Sequence, residues 1–165
     1  MPADPAMPDP RPDASGPDAP DLAARRAVMG LCGEARPEEL RRALTQVGAG
    51  EEPEDLRPPE TGLVMTRGRI GGDGRPFNLG EATVTRAAVR LSGGETGFAY
   101  HLGRDRAKAR LAATLDALWQ RPALRREIEA ALLPVAARRA AEREAEVRRI
   151  AATRVNFFTM ARGED

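Results

Sequence analysis

The chain is 165 residues long, the size of one domain with or without a tail, and its 26 basic and 25 acidic side chains nearly cancel. That balance excludes the one-sided field of a nucleic-acid or membrane-surface binder. A single cysteine, Cys32, excludes an internal disulfide, and a single histidine, His101, leaves too few ligands for a zinc or iron site of the usual Cys/His kind.

Half of the 14 prolines fall within residues 2 to 20, interleaved with Asp4, Asp9, Asp13 and Asp18. Such a segment buries too little surface to offset its ordering entropy, so residues 1–19 are expected to be a disordered leader before a single domain over 20–165. Leu22, Val28, Met29 and Cys32 then suggest a helix that Gly33 allows to end. The next is marked more clearly: Pro37 suits a first turn, Glu38 and Glu39 suit the dipole, Leu40, Leu44 and Val47 share a face, and Gly48 is the stop. An acidic, Pro-rich connector is expected from Gly50 to Glu60.

Residues 61–102 hold more than half of the 16 glycines, between short apolar runs. Asp73-Gly74 and Gly93-Gly94 supply the turn chemistry of tight hairpins, which predicts a three-stranded meander. The long middle strand places Phe77, Leu79, Thr83, Thr85, Ala87, Val89 and Leu91 on one face, with Glu81 as the exception and Gly80 as a bulge. Val84, Ala87, Ala88 and Leu91 also fit a helical stripe, but β-branched Thr83, Val84, Thr85 and Val89 favour a strand. From Arg104 to Gln120 a helix is expected, Asp105 at its N-terminal end and Ala107, Leu111, Leu115 and Leu118 buried. Residues 123–152 read as helical, solvated and laced with pairs such as Glu144 with Arg148, with Pro134 splitting or kinking the run. The fold class is therefore α+β: an N-terminal helical hairpin, a three-stranded antiparallel meander, and C-terminal helices packed on one face.

Candidate sites are few. Arg69, Gly71, Gly72 and Arg75 surround a turn that could hold an anion, but a strand follows it where a phosphate loop opens a helix, so an ordinary hairpin is favoured. His101 is the one residue suited to general-base work at neutral pH; with no nucleophile placed beside it, a solvated or hydrogen-bonded strand histidine is expected. Cys32 should pack as a small apolar residue. In the tail over 155–165, Phe157, Phe158 and Met160 bring apolar bulk close to a terminus, which must dock on this chain or on another protein. No run approaches the ~20 apolar residues of a membrane span, and the start has neither the basic nor the apolar region of a signal peptide. A cytoplasmic protein is expected, with neither membrane nor nucleic acid among its partners.

Glu60-Thr61-Gly62-Leu63-Val64, Arg69-Ile70-Gly71-Gly72, the run from Gly80 to Leu91, Gly103-Arg104-Asp105, Asp116-Ala117-Leu118 and the ending Arg154 to Gly163 together resemble the G subunit (PhnG) family of the bacterial carbon-phosphorus lyase core complex. The resemblance spans roughly residues 22 to 164. It implies assembly with sibling subunits H, I and J, and work with H, I and L in transferring the ribose triphosphate moiety of ATP to methylphosphonate. Adenine is displaced, giving alpha-D-ribose 1-methylphosphonate 5-triphosphate. It further implies that the iron-sulfur cluster and S-adenosylmethionine belong to sibling J, and that this chain alone binds no cofactor and carries no catalytic residue; Arg104, Asp105, Arg154, Phe157, Phe158, Met160 and Arg162 are the candidate interface residues. The alternative is a free-standing nucleotide- or anion-binding module using Arg69 and Arg75.

Overall fold

The computed structural model describes residues 19–48, 50–69 and 74–153. Two helices, α1 (Ala19–Glu34) and α2 (Pro37–Val47), precede strands β1 (Glu54–Gly68), β2 (Phe77–Arg90) and β3 (Thr96–Leu102), and helices α3 (Arg106–Trp119) and α4 (Arg125–Ala152) complete the chain. The strands form one antiparallel sheet in the order β1-β2-β3. This is the expected α+β architecture.

The helical hairpin follows from local chemistry. Pro37 opens α2, the Glu39 carboxylate accepts the Arg36 N–H at 2.7 Å, and Gly48 closes the helix in the left-handed region at φ 66°. The lysine Lys108 caps α1 from a distance, its Nζ donating to the Gly33 carbonyl at 2.6 Å.

Helix α3 is the centre of the molecule. Every residue from Ala112 to Trp119 is buried, because the sheet covers one side and α1, α2 and α4 cover the other. Its alanines let it come down almost to backbone contact with the sheet. At Gly97 of β3 an added Cβ would lie 2.0 Å from the Ala113 carbonyl oxygen and 2.5 Å from the Ala117 nitrogen. Asp105 caps the helix, accepting the Lys108 N–H at 2.8 Å. Ala107, expected in the buried stripe, is exposed: it lies in the first turn, before the helix passes under its neighbours.

Three further expectations are corrected. The connector expected over 50–60 is shorter, since β1 already begins at Glu54 and carries Pro58 and Pro59 inside it. A proline removes a ladder donor, and β1 tolerates two because it is an edge strand whose register shifts around them. In β2, Thr85, Ala87 and Val89 are buried as the alternation requires, but Phe77 and Leu79 are exposed, because β3 pairs only with residues 84–90. Leu79 is the extra residue of a bulge between the pairs Thr66–Gly80 and Arg67–Asn78, one position from the expected site. Finally, α4 runs unbroken through Pro134; this position is exposed, and the one bond lost, to the Ala130 carbonyl, is left to water.

Ile128, Ala131, Leu132 and Val135 attach the first half of α4 to the core. Arg138 ties it to α2 by donating to Glu39 at 2.8 Å and 2.9 Å, and it donates to a second carboxylate, Glu142, at 2.9 Å. Replacing Gly97 by alanine should force β3 and α3 apart and destabilise the fold by about 3 kcal/mol, the upper end of overpacking penalties. Thermal or urea unfolding of the purified variant measures this.

Candidate functional site

The most enclosed charge in the described structure is Asp116, on the sheet-facing side of α3 and 1% exposed. Arg25 of α1 donates to both of its oxygens at 2.7 Å, and the backbone N–H of Phe98 in β3 donates to Oδ2 at 2.8 Å. The bidentate fork satisfies a carboxylate that could not otherwise be buried, and the bond raises the Arg25 guanidinium above its usual pKa. One turn on, Gln120 donates to the Thr96 carbonyl at 2.7 Å. Two outward-pointing backbone groups of the edge strand β3 are thus bonded by side chains of α3, which blocks this stretch as a pairing edge. In sequence, Asp116 stands out only as part of the block Asp116-Ala117-Leu118, with no role assigned to it; a mid-helix aspartate flanked by apolar positions is the signal that marks it.

The single histidine is not the solvated or hydrogen-bonded residue expected. His101 points to the helix side of β3, and both ring nitrogens are buried without a hydrogen-bond partner. Burial, with the Lys108 charge nearby, pushes its pKa below the ordinary histidine value, so it sits in the fold as neutral imidazole. Cys32 lies against the same small gap of about 10 Å³, together with Met29, Ala99 and Ala112. Desolvation first, and then the Asp116 charge, pushes its thiol up to about 12, which keeps it protonated and unreactive. The two residues best suited to acid–base or nucleophilic chemistry are therefore both core residues.

A cavity of about 500 Å³ among the described residues is an open groove between α2, α3 and the base of β1, with Leu44, Pro53, Pro59 and Leu111 on its floor and Arg41 and Arg106 at its rim. A third arginine in it, Arg110, is already paired with Asp55 and Glu52, both at 2.8 Å. Glu51 nearby accepts the Ser92 N–H and pairs with Arg121 at 2.9 Å; these bonds hold its carboxyl down at about 2. The groove has an apolar floor, and among the described residues Arg106 at its rim forms no ion pair.

Of the residues expected to meet an anion, Arg69 and Arg75 are exposed where β1 ends and just before β2 begins, while Gly71 and Gly72 lie outside the described residues. Arg104 is exposed in the turn after β3, and Asp105 is the α3 cap described above. Arg154, Phe157, Phe158, Met160 and Arg162 lie outside the described residues. Among the described residues no three His, Cys, Asp or Glu side chains are grouped to hold a metal ion, and no helix is long and apolar enough to cross a membrane.

Two variants test this reading of the interior. Asp116→Ala leaves Arg25 and the Phe98 N–H without their acceptor and should cost about 3 to 5 kcal/mol of stability, read by urea unfolding. His101 has a folded pKa below its unfolded one, so its contribution is complete above about pH 6.5 and is lost as pH falls below that value. Unfolding curves between about pH 7 and pH 5 should show this loss in the natural chain and a flatter profile in His101→Gln; equal slopes would contradict it.

Comparison with known proteins places this arrangement. The family described as phosphonate metabolism protein PhnG matches residues 23–163. A relative from Rhizobium meliloti (strain 1021), named alpha-D-ribose 1-methylphosphonate 5-triphosphate synthase subunit PhnG, is 54% identical over 144 residues, covering 87% of this chain and 92% of its own.

Proposed function

This chain belongs to the PhnG family, and on that premise we propose that it is a non-catalytic subunit of an alpha-D-ribose 1-methylphosphonate 5-triphosphate synthase in phosphonate catabolism. The observation that carries the reading is the 54% identity to a synthase subunit along nearly the whole of both chains. The assembly would contain sibling subunits H, I and J, and with H, I and L it would use ATP and methylphosphonate in the cytoplasm. In that reaction the bond from ribose C1′ to adenine breaks, a bond from C1′ to a phosphonate oxygen forms, and the displaced adenine takes up the proton released. The later steps that need an iron-sulfur cluster and S-adenosylmethionine would fall to sibling J.

The interior chemistry supports a scaffolding role. A general base must reach its proton within about 3 Å or through one water. His101 is instead shut between β3 and α3, and the Cys32 thiol is held protonated. Conversely, the surface keeps large apolar side chains in the open, among them Leu63, Leu79 and Leu102, as a chain built to be covered by others would.

A tagged copy of the full chain purified from its own cells should bring the sibling subunits with it in fixed ratio. The isolated chain incubated with ATP and methylphosphonate should release no adenine, while the reassembled subunits should. Adenine release by the pure chain at the rate of the assembly would overturn the reading, and so would a stable monomer that never binds the siblings.

A further inference from the structure

The two long strands outrun everything else in the fold. Strand β3 pairs with β2 only from Val84 to Arg90, and the last bond on that side is from the Gly103 N–H to the Thr83 carbonyl at 2.9 Å. Beyond it, residues 64–68 of β1 and 77–82 of β2 pair only with each other. At about 3.3 Å per residue this two-stranded ribbon continues for roughly 20 Å. An isolated ribbon of that kind is marginal in water, and the exposed edge of one is a hazard that folds usually blunt. Here it carries Met65 at 54% and Leu79 at 63% exposed, with Leu63 at 60% at its base, and no proline among its paired residues.

Its distal end is cationic. From residue 67 to 75 the sequence has Arg67, Arg69 and Arg75 against Asp73 alone, a net charge of three minus one, or +2. Among the described residues none of these arginines forms an ion pair; Arg67 donates only to the Asn78 side chain at 3.3 Å. The root of β1, at the far end of the strand, is handled in the opposite way. There Pro58 and Pro59 interrupt the edge, and Asp55, Glu52 and Glu51 are consumed by Arg110 and Arg121. Two ribbons laid tip to tip would bring Arg67, Arg69 and Arg75 of one copy against the same arginines of the other.

We propose that this ribbon is a docking arm, which inserts its apolar sides and arginine-bearing end into an acidic, apolar-walled cleft of a different subunit of the synthase. The inference rests on the reading of the chain as a synthase subunit and adds to it the surface and the chemistry of the partner. The arm would be ordered by the contact, with Leu63, Met65 and Leu79 supplying buried area and the arginines fixing register and orientation.

Three measurements on the full chain, co-produced with its siblings, test it. Arg67→Glu, Arg69→Glu and Arg75→Glu combined should lower recovery of the assembled complex by about tenfold or more, and Leu63→Glu with Met65→Glu should do the same. Both variants should keep the melting temperature of the natural chain in isolation, since the altered side chains are exposed; Leu79→Cys serves as a third variant should either fail to fold. With Cys32 buried and protonated, Leu79→Cys gives a single reactive thiol, and a bifunctional crosslinker on it should join one sibling, identified by mass spectrometry, at an acidic peptide. Full recovery of the complex with the arginine variant would overturn the proposal. So would a crosslink to a second copy of this chain, or an intact complex whose only change is a raised KM for ATP or phosphonate, which would make the arginines ligand contacts. If instead the natural chain retrieves no sibling, the subunit reading fails, and that result is distinct from any effect of the arm variants.

Discussion

One buried ion pair organises the fold. Asp116 stands where α1, α3 and β3 meet, and each of its contacts fixes a different element: Arg25 orients α1 across α3, and the Phe98 N–H sets the height of β3 along α3. A carboxylate at that depth is tolerable only when its oxygens are filled, so the three elements must arrive together or not at all. Gly97, next to Phe98, makes the same demand sterically, because the α3 backbone occupies the space a side chain would need. Charge pairing and close approach thus define a single way for the sheet to sit on the helix.

That seam divides the protein into two unlike halves. On the helix side, alanines and leucines are closed under four helices, and even the titratable residues His101 and Cys32 are treated as packing material. Outside it, ionic clusters hold the periphery: Arg138 with Glu39 and Glu142, and Arg121 with Glu51 and Glu95. The Arg138 bonds draw the Glu39 carboxyl down to about 2, so this clamp between α2 and α4 persists through any physiological pH. The β1–β2 ribbon leaves the compact body with neither layer nor clamp over its distal half, and the last turns of α4 are likewise uncovered.

This division bears on what the chain contributes to an assembly. An enzyme subunit that donates catalytic groups exposes them in a cleft with a matched pKa. Here the perturbed histidine and thiol lie inside, and the described surface offers an apolar-floored groove, an open sheet end and arginines without ion pairs. Those are features of recognition, and they agree with membership in a family whose relative is a subunit of a larger synthase.

The sequence by itself determined the order and type of the elements. Gly48, Pro37 and Asp105 mark helix ends through backbone geometry and capping, which are local, and the β-branched run from Thr83 to Val89 selects a strand over the competing helical stripe. The family blocks were legible for the same reason, being contiguous runs. The tertiary structure decided what depends on neighbours distant in the chain. Asp116 looked like an ordinary polar position until Arg25, 91 residues earlier, was brought to it. From sequence His101 is expected to be solvated or hydrogen-bonded, and the crossing of α3 over β3 instead buries its ring without a partner. The alternation along β2 placed Phe77 and Leu79 with the buried residues, yet periodicity states only which face a side chain takes. Whether anything covers that face was fixed by where β3 stops, a length set by Gly103 and the turn into α3.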